Sequence, residues 1–210
     1  MLLMVSTPLC CSGKVDLMRS IWLSLLLTWG LAGAAMVSAA PLPAQGTIEV
    51  LFTPWVDAEG AVIRAVTGAQ QSIYVQAYLI TSHPIATALI AVAARGVEVQ
   101  VLADHEMAIK GANSQLGIMA SGGVSVWLET RYAAAHNKVI IIDAVAENSA
   151  TATLLPVVIT GSYNYTWSAQ ARNAENLLVI RGNAALAKRY LENWRRHRAD
   201  AQALTIEGLK

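Results

Sequence analysis

"SIYVQAYLITSHPIATALIAVAARGVEVQVLAD", residues 72 to 104, decides the fold. Seven of its first nine residues are β-branched, aromatic or apolar, the composition of a buried strand. "PIATALIAVAARG" (84 to 96) then opens on a proline and closes on a glycine, which suit the first turn and the exit of a helix. "VEVQVLAD" (97 to 104) alternates apolar and polar side chains, as a strand does. Strand, helix and strand at this spacing form a βαβ unit with a parallel pair.

Outward from that unit the two patterns continue to alternate. "TIEVLFT" (47 to 53) reads as a strand and "DAEGAVIRAVTGAQ" (57 to 70) as a helix with Asp57 near its start. After a helical or looped stretch to Ser121 come four strand-like runs: "VSVWLE" (124 to 129), "HNKVIIID" (136 to 143), "LLPVVITGS" (154 to 162) and "NLLVIRG" (176 to 182). Short helices fill 165 to 172 and 183 to 199. No internal repeat appears. The reading is an α/β domain over 47 to 200, a mixed β-sheet flanked by helices on both faces (an α-β-α sandwich), with a C-terminal tail over 201 to 210.

A chain of 210 residues, 55% hydrophobic, holds one domain with a sizeable core and little room for a second. Part of that hydrophobicity lies outside the domain. "MRSIWLSLLLTWGLAGAAMVSAA" (18 to 40) has an arginine, an apolar run and a small-residue exit, the layout of a secretory signal peptide. Val37 and Ala39 place cleavage after Ala39, with Met18 an alternative start and 40 to 46 a linker. This predicts a periplasmic or secreted protein. The rival is an uncleaved anchor holding the domain to the membrane on its periplasmic side, because Ile21 to Ala40 is about long enough to span a bilayer. Both cysteines, Cys10 and Cys11, precede this segment, so the mature chain has no disulfide. The leader also carries Lys14, Arg19 and Asp16, so its removal takes the 15 basic and 14 acidic residues to 13 of each. Attraction to an anion must therefore come from local charge.

Chemistry concentrates in two places. In "AAHNKVIIIDA" (134 to 144), side chains two apart on a strand share a face, so His136 and Lys138 point one way and Asp143 the other. In "TGSYNYTWSAQARNAEN" (160 to 176), Ser162 and Asn164 are again two apart, and Glu175 and Asn176 stand at the mouth of the next strand. His, Lys, Ser, Asn and Glu at one place suit a phosphodiester. A neutral imidazole attacks phosphorus, an ammonium and an amide hold the oxygens as charge builds, and a carboxylate sets the histidine tautomer.

"HNKVIIID", followed by "GSYN" and "NAEN", resembles the His-x-Lys-x4-Asp signature of the phospholipase D superfamily, in particular its small single-motif exported bacterial nucleases. The likeness extends upstream through "FTP" (52 to 54) and "AYLITSHPIATALIAVAARGVEVQVLAD" (77 to 104), about three quarters of the chain. It implies a phospholipase D-like sheet, no metal and no cofactor. It also implies a phosphohistidine mechanism needing two histidines, hence a homodimer. In that scheme His136 of one subunit attacks and His136 of the other protonates the leaving alcohol. Lys138 and Asn164 hold the phosphate, Ser162 and Glu175 support the histidine, and Asp143, Gly161 and Asn176 are structural. One departure is the link 144 to 160, longer than the family carries, which is expected to form an extended hairpin loop near the site.

Other features carry weaker expectations. "DHE" (104 to 106) offers three consecutive side chains that converge poorly on an ion, so loop polarity outweighs a metal site. Tyr163, Tyr165 and Trp167 either stack on bases or pack. On the helix 183 to 199, Lys188, Arg189, Arg195, Arg196 and Arg198 either track a phosphate backbone or form a solvated face. Tyr163, Arg189, Arg195 and Arg196 are thus candidate substrate contacts. Three functions remain: an exported endonuclease on DNA, with RNA as a further substrate; a lipid phosphodiesterase acting on phospholipid; and a non-catalytic nucleic-acid-binding protein of a conjugative system.

Overall fold

The computed structural model describes residues 40–144 and 154–205. The signal segment expected over 1–39 and positions 145–153 of the long link lie outside them. The βαβ unit forms as read: β2 (Ser72–Ala77), helix α2 (His83–Ala94) and β3 (Glu98–Asp104), the two strands paired parallel with Ile73 opposite Val99 and Ala77 opposite Ala103. Ser82 caps α2 by accepting from Ile85 N at 3.1 Å, one residue ahead of the expected proline start.

Around this unit stand β1 (Thr47–Phe52), α1 (Ala58–Thr67), the short helices α3 (His105–Lys110) and α4 (Leu116–Ser121), β4 (Ser125–Glu129), β5 (Lys138–Ile142), β6 (Val157–Gly161), α5 (Trp167–Ala171), β7 (Asn176–Arg181) and α6 (Ala184–Ala199). One eight-stranded mixed sheet results, in the order β1-β7-β6-β5-β2-β3-β4-β8. β2, β3 and β4 are parallel, and the remaining pairs are antiparallel. β8 is Gln202–Ala203, paired with β4 at Leu128 and Trp127. The chain expected to be a tail from 201 therefore still belongs to the sheet at its start, because the last strand edge offers unpaired backbone groups to the segment leaving α6.

The period-2 pattern sorts the strands into two faces. Ile73, Val75, Val99, Val101, Ile140, Ile142, Ile159, Leu177 and Val179 form the core under α1 and α2. On the other face Leu102, Val139, Ile141 and Val158 pack against Ala187, Leu191 and Trp194 of α6. Trp194 also donates its indole N–H to Val75 O at 2.9 Å, so the helix is anchored by a hydrogen bond as well as by burial. α6 packs on β6, β5, β2 and β4, while on β1 the side chains of this same face, Ile48, Val50 and Phe52, stay 60%, 51% and 53% exposed.

The long link expected near the site lies, over 145–153, outside the described residues. Its described flanks stand at the C-terminal end of β5 and the N-terminal end of β6, whereas His136 precedes β5 and Ser162 follows β6.

Candidate active site

Antiparallel pairing brings the entry of β5, the exit of β6 and the entry of β7 to one end of the sheet, where β2 and β3 also finish. Ala77 pairs with Lys138, Val139 with Thr160, and Gly161 with Leu177. Residues distant in sequence, His136 and Lys138 from one side and Ser162, Glu175 and Asn176 from the other, thereby share that end.

His136 is exposed, and Lys138 is only 5% exposed. The Lys138 ammonium lies 2.9 Å from His136 Nδ1 and donates to His136 O at 3.1 Å. An ammonium donates and cannot accept, so Nδ1 is the acceptor and a neutral imidazole then carries its proton on Nε2. Burial holds Lys138 below the ordinary lysine value, and the nearby Glu175 carboxylate works the other way.

The second cluster is held by hydrogen bonds. Ser162 Oγ donates to Glu175 Oε2 at 2.6 Å and accepts from Asn176 N and Nδ2 at 3.1 and 3.2 Å. Asn173 Nδ2 donates to Glu175 Oε1 at 2.9 Å. Within one chain Glu175 thus bonds to Ser162 and Asn173 and reaches the His136–Lys138 pair through its charge on Lys138. Asn164 is half-buried, its amide oxygen buried without a partner among the described residues. Gly161 has a structural reason to be glycine: a Cβ there would lie 2.3 Å from Asn176 O, where β7 passes closest. Asp143 sits at the far end, accepting from the backbone N–H groups of Gln70, Gln71 and Ser72 at 2.8–3.3 Å. It clamps β5 to the start of β2 and takes no part in the site's hydrogen bonding.

One candidate substrate contact is corrected. Tyr163 is fully buried against Tyr165, ring centroids 6.3 Å apart, so it packs and cannot stack on a base. Burial pushes both phenols up. Arg195 is exposed, and its charge favours the ionised form of Tyr74, three residues before the end of β2. Arg189 lies in the half of α6 that begins at Asn183, beyond the far end of β7, and only the last turns of the helix reach the site end, through His197 to Glu129 and Asp200 to Arg131. Arg196 is exposed on that last stretch.

Other residues were given no part in the site by the pattern. Asp104 ends β3, caps α3 by accepting from Met107 N at 2.9 Å, and accepts from Ala135 N at 2.7 Å. It thereby fixes the backbone one residue before His136, so "DHE" is a cap and the start of a helix. The signal was its place at the carboxyl end of a parallel strand, where open α/β sheets carry their sites. Thr53 bonds to Asn173 O and Glu175 N, tying the end of β1 to the Glu175 segment. Tyr78 packs at a tilt against His136, ring centroids 4.3 Å apart. Among the described residues no group of His, Cys, Asp and Glu is placed to hold a metal.

An α-β-α sandwich with a histidine and a buried lysine in contact, a serine-bonded glutamate near the lysine and asparagines around it, has the parts to attack and stabilise a phosphoester. Residues 62–198 match the family model described as cardiolipin synthase, PLD-like domain. The chain belongs to the phospholipase D superfamily, in its Nuc-like group, and its fold is that of a phosphodiesterase. It is 37% identical over 150 residues to a phospholipase D of Rickettsia prowazekii, covering 71% of this chain and 67% of that one. Nuc from Salmonella typhimurium, a phospholipase D family member, superposes with a TM-score of 0.68 at 30% identity, covering 76% of this chain and 99% of Nuc. NucT from Helicobacter pylori superposes with a TM-score of 0.66 at 22% identity, covering 76% and 100%.

Proposed function

We propose that the protein is an exported endonuclease that hydrolyses DNA, with RNA as a further substrate, through a phosphohistidine in a homodimeric site without a metal. The observation that carries the chemistry is the Lys138–His136 contact beside Glu175. In the scheme, Nε2 of one His136 bonds to phosphorus as the P–O bond to the leaving alcohol breaks. His136 of the partner subunit gives that alcohol its proton, then takes one from the water that splits the P–N bond. Lys138 neutralises the oxygens as charge builds. The attacking His136 is a neutral imidazole with its proton on Nδ1, and the donor is an imidazolium protonated on both nitrogens that becomes neutral as it gives up its Nε2 proton. Neither accepts at Nδ1, so in both copies Lys138 turns from Nδ1 to the phosphate oxygens for the first step.

A shared site needs a surface for the second copy, and the uncovered edge of the sheet face supplies one. Ile48 and Val50 lie directly opposite Ile180 and Leu178 of β7, and the row ends at Phe52 opposite Asn176, beside the site. This side of the sheet is thus covered by α6 from β6 to β4 and open and apolar along β1, a patch that a twofold pair would bury against itself. The accessibility of His136, Ser162 and Asn176 suits a polymer backbone arriving from solvent, and the likeness to Nuc supports the nucleic-acid reading. A second reading, hydrolysis of a phospholipid head group, is favoured by the phospholipase D name of the Rickettsia relative.

The deciding experiment incubates the purified protein with EDTA and either plasmid DNA or phospholipid vesicles, alongside His136→Ala. Chelator-resistant nicking that disappears in the variant is expected. Head-group release with intact DNA would replace this reading with the lipid one.

A further inference from the structure

Lys138 is enclosed on more than one side. Its ammonium meets His136 at Nδ1 and at O, stands near Glu175, and lies 5.0 Å from the centroid of the Tyr78 ring. The same ring packs against the His136 imidazole at a tilt of 57°, 4.3 Å between centroids. Tyr78 is itself fixed: it follows β2 directly, and its N–H donates to Asn137 O at 2.8 Å, extending the β2–β5 pairing by one step past Ala77 and Lys138. One half-buried aromatic ring therefore touches both members of the pair, from a strand that carries neither.

We propose that Tyr78 is a positioning residue: its ring face seats the imidazole and the ammonium against one another and keeps both in register for a phosphate. The inference rests on reading His136 and Lys138 as the reacting pair. An aromatic face attracts a cation electrostatically, and it does so best where water is excluded, as it is around Lys138. The groups facing the ammonium are His136 on its own segment, Glu175 ahead of β7 and Tyr78 after β2. Of these Tyr78 carries no charge, so it orders the ammonium without competing with the phosphate for it. Packing against the imidazole also restricts the ring of His136, which is otherwise open to solvent.

The test compares Tyr78→Phe with Tyr78→Leu on bis-p-nitrophenyl phosphate, a phosphodiester with no polymer contacts. Phenylalanine keeps the ring and should hold kcat within about twofold, while leucine should lower it roughly tenfold at nearly constant KM. Leucine fills the space without the ring's attraction, so the alkaline fall of the pH profile, set by loss of the Lys138 proton, should move to lower pH. Tyr78→Met serves if the leucine variant does not fold. An unmoved profile with unchanged kcat would overturn the proposal. A phenylalanine variant as impaired as the leucine one would also do so, by assigning the role to the hydroxyl. NMR titration of Lys138 Cε and the imidazole nitrogens reads the same contact without turnover. A lower lysine midpoint in the leucine variant is expected, and unchanged spectra would sink the idea. Absence of turnover in the unsubstituted protein would strike the phosphodiesterase reading, while the titration still decides the role of Tyr78.

Discussion

Lys138 is a residue at which stability and activity oppose one another. Its charge is held out of water, and its proton is lost more readily than that of an ordinary lysine. Between its depressed folded value and the unfolded value of 10.5 the unfolded chain binds more protons, so wild-type stability rises with pH there. Lys138→Met removes that rise and, with no buried charge to desolvate, should melt no lower than wild type at pH 7 while losing phosphodiesterase activity. Thermal melts across pH 7 to 11 check the first part and a phosphodiester assay the second. An activity that needs the ammonium should fall in wild type before the ordinary lysine value is reached. His136 and Lys138 were legible as a pair because strand parity puts them on one side. Tyr78 and Asp104 were not, since each acts through a contact between strands whose pairing no local pattern reveals.

At the scale of elements, the strand ends divide the labour. Asp143 holds three backbone N–H groups at the end of β5, about seven residues and therefore roughly 23 Å from His136. Asp143→Ala should cost about 3 kcal/mol by leaving those donors unmet, yet spare the turnover of the folded fraction, as urea melts and kinetics at low temperature would reveal. Gly161→Ala should do the reverse. Its Cβ meets Asn176 O, and relieving that contact displaces Ser162, whose hydroxyl holds Glu175. A large loss of kcat with a modest fall in melting temperature is expected. Every principal strand and helix was readable from periodicity and caps. The two-residue β8 was not, because so short a pairing has no pattern and exists only where β4 leaves an edge uncovered. The ends of the long link depend likewise on long-range pairing: its length is visible in sequence, but which end of the sheet its flanks meet is set by the pairing of β5 with β6.

For the whole molecule, the sheet is covered by several helices on one side and by α6 over part of the other. The exposed apolar row on edge strand β1 is the surface assigned above to the proposed second copy. Val50→Glu places a charge at its centre without touching the site or the core. The variant should stay folded by circular dichroism, fall to half the wild-type mass by light scattering and lose activity. If the mass stays that of a dimer, the second copy binds elsewhere. An active wild-type monomer would refute the shared site itself.

The sequence by itself determined the α/β class, the order of the strands along the chain and the residue types of a phosphodiester site, because period, caps and a short motif are local properties. Only the tertiary structure decided which residues meet. The antiparallel pairing of β5, β6 and β7 placed Glu175 near Lys138, and Tyr163 was withdrawn into the core. It also put Asp143 at the end away from His136 and left the apolar side chains of β1 exposed on the face that α6 covers elsewhere. Those outcomes follow from strand order in the sheet and from which faces the helices cover, quantities set by long-range pairing rather than by neighbours in sequence.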